Sequence, residues 1–293
     1  MESRARPRRD NSQVAPAALL SHAEPMPAIG SAVVCRGLTR RFGSIVAVDN
    51  VDLEVRSGET LGLLGRNGAG KTTLIKMLTT LLPPSSGHAQ IAGFDLVRHP
   101  ASVRRAIGYV PQALSADGDL TGFENLLIFA RLYDLPAREQ RPRIAAALAF
   151  MDLSEDADRL VKHYSGGMIR RLEIAQSTLH RPQVLFLDEP TVGLDPLARD
   201  AVWEQLKRLR SELKTTIVLA THHLEEAELL CERLAILNQG HISAIGAPPE
   251  LRAGLGAGTT LEDVFAHYTG AAHDVHDGIA AAYRQRRTAE RLG

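Results

Sequence analysis

The sequence predicts an α/β fold, in which helices cover a parallel β-sheet and a helical subdomain is inserted into the α/β core. Three observations lead to this prediction. Short apolar runs alternate with longer segments of helical period over most of the 293 residues, as in sheets whose buried parallel strands are joined by helices. A glycine-rich loop typical of phosphate binding follows one of the runs. The middle of the chain, roughly residues 113–182, shows no convincing strand pattern.

The strands are predicted from short runs rich in leucine and β-branched residues, which is the pattern of strands buried on both faces. These runs are Thr60–Leu64, Val184–Leu187, Thr216–Ala220 and Arg233–Leu237.

Helices are predicted where apolar residues recur with a helical period, at Lys71–Leu81 and Asp200–Leu213 in the core. In the middle of the chain, Thr121 is a suitable N-cap for a helix over Phe123–Leu135, and Ile144–Met151 continues in helical period. We therefore expect the inserted subdomain, about 113–182, to be helical.

The composition excludes several classes of protein. Lysine and arginine together number 34, as do aspartate and glutamate, and this neutral balance disfavours a nucleic-acid-binding protein with a basic face. No apolar run approaches the roughly 20 residues of a membrane span, so we expect that the chain does not cross a bilayer. Two cysteines, Cys35 and Cys231, are too few for a disulfide framework and indicate a reducing compartment.

The two ends of the chain differ from the middle. Residues 1–30 are rich in arginine and proline and poor in large apolar side chains, which predicts a disordered N-terminal arm. An organelle transit peptide is the alternative, but Glu2, Asp10 and Glu24 argue against it. A single folded domain is expected over 31–250, followed by a C-terminal extension over 251–293 that is partly helical or disordered. One frayed helix is expected from about Gly270.

The strongest local motif matches the P-loop pattern, a glycine-rich loop between a strand and a helix. Its glycines let backbone N–H groups approach phosphate oxygens, and the helix that follows adds its positive N-terminal end. Lys71 is expected to reach the β- and γ-phosphates, and the Thr72 hydroxyl to bind Mg²⁺. The predicted ATP-binding residues of this loop are Gly65, Arg66, Asn67, Gly68, Ala69, Gly70, Lys71, Thr72 and Thr73.

A second motif is the apolar run Val184–Leu187, which ends in two acids, Asp188 and Glu189. Such a run places the carboxylates at the C-terminal edge of a buried strand, where ligands bind in open α/β sheets. Asp188 is expected to hold Mg²⁺ through water, and Glu189 to orient and polarise the attacking water.

With these motifs in place, the sequence resembles the ATP-binding subunit of an ABC transporter. The segment Tyr164–Met168 resembles the signature motif of that family, and Ser165, Gly166 and Gly167 begin a predicted helix, Met168–Ser177. The resemblance implies a RecA-like P-loop NTPase core sheet with an inserted helical subdomain, of the ABC ATPase type. It also implies that Ser165–Gly167 contact the γ-phosphate of ATP bound by a second copy of the chain, in a head-to-tail dimer.

The same resemblance assigns four further positions. Gln112 resembles the Q-loop glutamine, which contacts Mg²⁺ and the attacking water. His222 resembles the switch histidine at the γ-phosphate, with His223 as the weaker candidate, and the segment Gly193–Asp195 resembles the D-loop. Phe42 resembles the aromatic residue that stacks on adenine, although a buried core aromatic is an equal alternative.

Some positions depart from the usual family pattern. Tyr164 and Met168 stand where leucine and glutamine are common, and Arg66 stands where proline is common. None of these departures removes a phosphate ligand, a metal ligand or the candidate base.

Finer features point to the daunorubicin-resistance type of exporter ATPase. They are the segments Ser165–Ala175, Thr221–Glu228 and Thr260–Phe265. This resemblance implies a peripheral ATPase on the cytoplasmic face of the cell membrane that drives an integral membrane permease subunit and exports a drug or another hydrophobic or amphiphilic compound. The alternatives are an ABC importer subunit, a non-transport ABC ATPase and a regulatory module that only binds nucleotide.

Overall fold

The computed structural model describes residues 30–270, which form two β-sheets and a set of helices. The predicted N-terminal arm lies outside the described residues except for its last residue, Gly30. The helix expected from about Gly270 lies outside them beyond Gly270 itself.

The larger sheet has six strands in the order β10-β9-β3-β8-β7-β6 and is parallel except for its edge strand β10. Its members are β3 (Thr60–Leu64), β6 (Ile107–Val110), β7 (Val184–Asp188), β8 (Thr216–Thr221), β9 (Arg233–Asn238) and β10 (His241–Gly246). The four predicted strands are confirmed, with ends that agree to within one residue. The sequence prediction did not include β6 and β10.

The central strands are apolar at most positions because each face of the sheet covers a separate core. In β7, Val184 and Phe186 lie in the core beneath the second sheet. Leu185 and Leu187 alternate with them and belong to the core shared with the inserted helices. Alternate residues of a strand point to opposite faces, so burial of both faces leaves no polar position in the run.

The smaller sheet is antiparallel and was not predicted. It has the order β2-β1-β4-β5, and its strands are β1 (Ser31–Phe42), β2 (Ile45–Arg56), β4 (Ser86–Ile91) and β5 (Phe94–Asp95). Together with helix α1 (Lys71–Leu78) it covers one face of the larger sheet, through residues such as Leu53 and Met77.

Helices are present at the predicted segments, with shifted ends, together with helices that were not predicted individually. Within residues 30–270 they are α1 (Lys71–Leu78), α2 (Pro100–Ala106), α3 (Gly122–Leu132), α4 (Ala137–Phe150), α5 (Gly166–Thr178), α6 (Pro196–Leu213), α7 (Leu224–Leu230), α8 (Pro248–Ala253) and α9 (Leu261–Thr269), with one 3₁₀ turn at Val161–His163.

Local chemistry explains the shifted ends. Helix α1 ends at Leu78, three residues before the predicted end, and Thr80 then takes a left-handed backbone with φ of 64°. Helix α6 begins at Pro196, earlier than predicted, because the Asp195 side chain caps it by accepting from the N–H of Ala198 at 3.0 Å.

The described residues of the inserted region, 113–182, contain α3, α4, α5 and the 3₁₀ turn, and no strand longer than an isolated bridge. The predicted N-cap is confirmed, since Thr121 forms a capping box with Glu124 at the start of α3. Among residues 30–270, no helix is both long enough and apolar enough to span a membrane.

Candidate nucleotide-binding and hydrolysis site

The phosphate loop connects β3 to α1 at the C-terminal edge of the parallel sheet. The N–H of Gly65 donates to the Thr221 carbonyl of neighbouring β8 at 3.4 Å, which fixes the start of the loop. Gly70 has φ of 107°, and a Cβ atom there would lie 2.4 Å from the carbonyl oxygen of Ala47. Glycine is therefore required at this position both by conformation and by space.

Lys71, the first residue of α1, is buried and fully engaged. Its ammonium donates to the carbonyl oxygens of Gly65 at 2.7 Å and Arg66 at 3.3 Å. It also lies 3.1 Å from Oε1 of Glu189, whose side chain is equally buried. The lysine thus links the phosphate loop to the acidic end of β7.

Asp188 ends β7 next to the phosphate loop. The hydroxyl of Thr72 donates to its Oδ1 at 3.1 Å. Burial raises the pKa of the Asp188 carboxyl, the Thr72 hydrogen bond opposes that shift, and the neighbouring Glu189 charge adds to it. Two oxygen donors of this kind, held side by side, fit the hard, oxygen-seeking Mg²⁺ ion.

Glu189 follows β7 with an unusual backbone. Its φ is 52°, which is uncommon for a residue other than glycine, and its N–H donates to the Ala220 carbonyl at 2.9 Å. Its Oε2 lies 2.7 Å from Nδ1 of His222, just after β8. The three predicted residues Lys71, Glu189 and His222 therefore form one continuous polar cluster.

His223 has a different environment from His222. Its backbone N–H donates to the Thr221 hydroxyl at 3.0 Å, and it precedes α7. The two imidazole rings lie side by side, with centroids 4.2 Å apart. His222 is the histidine that contacts the candidate base.

Ser165, Gly166 and Gly167 lie at the N-terminus of α5. The Ser165 hydroxyl caps the helix by accepting from the N–H of Met168 at 3.3 Å. A Cβ on Gly167 would lie 2.6 Å from Cβ of Ala198 in α6, so this glycine permits close packing of the two helices. None of the hydrogen bonds described within residues 30–270 joins these three residues to the phosphate loop.

Gln112 and Phe42 form no described hydrogen bond or ion pair with the acidic cluster within residues 30–270. Gln112 follows β6 and is exposed, and no described hydrogen bond within residues 30–270 joins its side chain to Asp188 or Glu189. Phe42 ends β1, 44% exposed, with the Arg40 guanidinium 4.6 Å from the ring centroid. The core alternative for Phe42 is therefore wrong.

Two buried networks next to the site were not predicted from the sequence. In the first, Arg170 donates to the carbonyls of Pro111 at 2.7 Å and Gln112 at 2.8 Å, and pairs with Glu173 at 2.9 Å. Glu173 in turn accepts from the N–H and hydroxyl of Ser115. The second network is centred on Glu226, which is fully buried. Their signal in the sequence is a charged residue that falls on the apolar face of a helix.

The fold and the cluster define a P-loop ATPase with an inserted helical region. The sequence pattern of the ABC transporter family matches residues 48–192. A daunorubicin resistance ATP-binding protein, DrrA3 of Streptomyces coeruleorubidus, is 43% identical over 77% of this chain and 71% of that protein. The Nod factor export ATP-binding protein I of Ralstonia nicotianae is 44% identical over 78% of this chain and 71% of that protein.

Solved structures agree. An ATP-binding subunit of an ABC transporter superposes with a TM-score of 0.73 at 30% identity, covering 81% of this chain and 99% of that one. The ATP-binding cassette MJ0796, in a dimeric post-hydrolysis state with ADP and phosphate, gives 0.65 at 28% identity, covering 73% and 98%. The chain belongs to the ABC transporter family, and it is an ATP-binding, ATP-hydrolysing subunit.

Proposed function

We propose that the chain drives export through a separate membrane permease, by binding and hydrolysing ATP as a head-to-tail dimer. The observation that carries the catalytic part is the cluster of the buried residues Lys71, Asp188 and Glu189 with the half-buried His222, beside the phosphate loop. The export part is supported by relatives of 43 and 44% identity that are named for daunorubicin resistance and for Nod factor export.

In this proposal the loop Gly65–Thr73 binds the phosphates of ATP. Lys71 supplies the positive charge, and the backbone N–H groups at the start of α1 supply further donors. Thr72 and Asp188, with Gln112, hold Mg²⁺, which neutralises charge that develops on the phosphates. Phe42, exposed at the end of β1, offers a ring for stacking against adenine.

Glu189 acts as the general base in this scheme. Its carboxylate orients the attacking water and accepts its proton, and His222 holds the carboxylate through Nδ1 at 2.7 Å. The same imidazole, beside Glu189, contacts the γ-phosphate in this proposal. Loss of that phosphate then releases contacts that ordered the site.

The dimer is proposed because the signature residues make no hydrogen bond to their own phosphate loop within the described part of the chain. Ser165 and Gly166 are exposed, at the positive end of α5. A second copy, bound head to tail, brings its γ-phosphate to this helix end. The dimeric state of the MJ0796 cassette supports this arrangement.

The permease contact is proposed on the helical region, around residues 114–126. Leu114 is 50% exposed in the segment that follows Gln112, and Ile128 of α3 is 43% exposed nearby in sequence. Exposed apolar side chains of this kind, in the loop before α3 and on α3 itself, suit contact with a cytoplasmic helix of a membrane protein. The chain then resides on the cytoplasmic face of the membrane, and the cargo is a drug or another hydrophobic or amphiphilic compound.

The test uses the tagged Glu189→Gln chain, captured from detergent-solubilised membranes of its host with ATP and Mg²⁺. We expect a multi-span membrane protein at about equal stoichiometry, lost in Lys71→Ala because nucleotide binding fails. Leu114→Asp should also lose it, whereas Val97→Asp, exposed on a different part of the surface, should keep it. Recovery of ribosomes, DNA or no partner would overturn export while leaving the ATPase assignment intact.

A further inference from the structure

Glu226 has an unusual environment for a carboxylate. It lies in α7, four residues after His222, and its side chain is completely buried. Its Oε1 accepts two hydrogen bonds, from the Thr191 hydroxyl at 2.8 Å and from Nε1 of Trp203 at 2.9 Å. Its Oε2 is buried and has no hydrogen-bond partner among residues 30–270.

Burying such a carboxylate is unfavourable for the free energy of folding. A buried carboxylate with one oxygen unsatisfied loses hydration that its two donors only partly replace. A neutral residue at this position would fill the space without that penalty. The unfavourable burial of the Glu226 carboxylate therefore indicates a role other than stability.

The three residues come from segments that follow the candidate base or His222 in the chain. Thr191 lies two residues after Glu189, Trp203 lies in α6 beyond the D-loop, and Glu226 lies in the helix that follows His222. One carboxylate oxygen thus links the chain after the base to the chain after the switch histidine. The hydrogen bonds from Thr191 and Trp203 to Glu226 each require a donor at one defined position.

The backbone of Glu189 needs such an anchor. Its φ of 52° is a strained conformation for a side-chain-bearing residue, and such strain persists only where the surroundings determine it. The N–H of Glu189 is held by Ala220, on one side. On the other side, Thr191 fixes the segment by its bond to Glu226.

We propose that Glu226, together with Thr191 and Trp203, is a positioning residue for hydrolysis, which holds the Glu189 carboxylate in register with His222. This proposal rests on the proposed role of Glu189 as the base. Within residues 30–270 the hydrogen bonds of this network reach neither the phosphate loop nor Lys71. We therefore expect it to act on the chemical step and to leave ATP binding unchanged.

The test compares isosteric variants of Thr191 in the full-length chain by steady-state phosphate release and by ATP titration. Thr191→Val removes the donor but keeps the shape, and we expect kcat to fall about tenfold to a hundredfold, as for a small misplacement of a catalytic group, with ATP affinity unchanged. Thr191→Ser keeps the donor and should restore turnover. Trp203→Phe and Glu226→Ala should lower kcat in the same way.

Thr178→Val is the matched control, since among residues 30–270 the Thr178 hydroxyl bonds only carbonyls of its own helix, those of Ile174 and Ala175. It should keep wild-type turnover. In a Glu189→Gln background, Thr191→Val should lower turnover little further, because there is no base left to position.

Three results would overturn the proposal. The first is wild-type kcat in Thr191→Val. The second is an equal loss in Thr191→Val and Thr191→Ser. The third is a loss that follows the folded fraction measured by thermal unfolding. If Glu189→Gln itself hydrolysed ATP at the wild-type rate, the proposed base would fail, and the positioning role would fall with it.

Discussion

Lys71 and Glu189 form a buried ion pair, with Nζ 3.1 Å from Oε1 and each side chain 5% exposed. One residue belongs to the phosphate loop and the other is the candidate base. On the proposed role of Lys71, the γ-phosphate of ATP competes with the Glu189 carboxylate for the same ammonium. ATP binding must weaken this pair, which frees the carboxylate to act on water.

The first prediction concerns Glu189→Gln. Removing the negative charge releases Lys71 for the phosphates, so we expect ATP affinity to rise several-fold. Turnover should fall at least about a hundredfold, since a general base contributes about 10²–10⁴ in rate. Calorimetric titration and phosphate release measure the two quantities on the same preparation.

The control for this prediction is Glu212→Gln, which removes a carboxylate from the partly exposed pair with Arg208. It should change neither affinity nor turnover. Weaker ATP binding in Glu189→Gln than in the wild type would show that the ion pair does not compete with ATP.

The second prediction concerns the Arg170–Glu173 pair, in which both side chains are 2% exposed. Arg170→Met leaves Glu173 buried without its cation, and breaking a buried pair on one side costs about 3–5 kcal/mol. We expect the free energy of unfolding, measured in urea, to fall by about that amount. Hydrogen exchange should accelerate at residues 112–116, since Arg170 holds the Gln112 carbonyl.

The double variant Arg170→Met/Glu173→Leu replaces both charges with apolar side chains and should recover much of the lost stability. Arg171→Met, on the same helix, removes a bond to the Met151 carbonyl instead. In Arg171→Met, hydrogen exchange at residues 112–116 should stay at the wild-type rate. The same rapid exchange in Arg171→Met would mean that the segment is not held by Arg170.

Much of the parallel sheet was predictable because its signal is local. Each central strand is a continuous apolar run, as in Thr60–Leu64, and the phosphate loop follows directly in the chain. The antiparallel sheet gave no such signal. In β1 the register shifts near Gly37 interrupt the alternation of buried and exposed residues, and β5 has only two residues.

The residues of the candidate site that directly follow strands could also be predicted from the sequence. Lys71, Thr72, Asp188 and Glu189 follow strands whose ends meet at one edge, so their proximity follows from topology. Glu226 was missed because it is preceded by Glu225 and followed two residues later by Glu228, a pattern typical of a solvated helix face. Only its position beside Ala227 and four residues before Leu230, both buried, marks it as inward-facing.

The third prediction concerns His180, which joins the end of α5 to the core sheet. Its Nε2 lies 2.9 Å from the Ile107 carbonyl, and its ring stacks on Tyr133 at 3.6 Å. Burial lowers the pKa of His180 from 6.5 to about 4, against a smaller opposing effect of the Ile107 hydrogen bond. The imidazole is therefore neutral in the folded protein at neutral pH.

The sign of the pH effect follows from proton uptake. Between pH 6.5 and about 4 the unfolded chain binds a proton at His180 that the folded chain does not, so stability falls as the pH falls through this range. The shift corresponds to at most about 3 kcal/mol. His180→Gln should lose this part of the pH dependence in urea unfolding, and the exposed His88→Gln should keep it. Parallel pH profiles for the wild type and His180→Gln would refute the assignment.

The last prediction compares alanine substitutions at two adjacent signature glycines, which differ in how closely neighbouring atoms approach them. A Cβ on Gly167 would lie 2.6 Å from Cβ of Ala198, whereas a Cβ on Gly166 would meet only the flexible end of Leu194 at 3.3 Å. Gly167→Ala must push α5 away from α6, and such overpacking costs about 1–3 kcal/mol. We expect its melting temperature to fall, while Gly166→Ala melts close to the wild type.

Because Gly166 is exposed at the proposed dimer interface, Gly166→Ala should instead weaken the ATP-dependent dimer formed by the Glu189→Gln chain, measured by size-exclusion chromatography with light scattering. Equal melting temperatures for the two alanine variants would mean that α5 and α6 can separate without loss, and an undiminished dimer in Gly166→Ala would place the partner's ATP elsewhere.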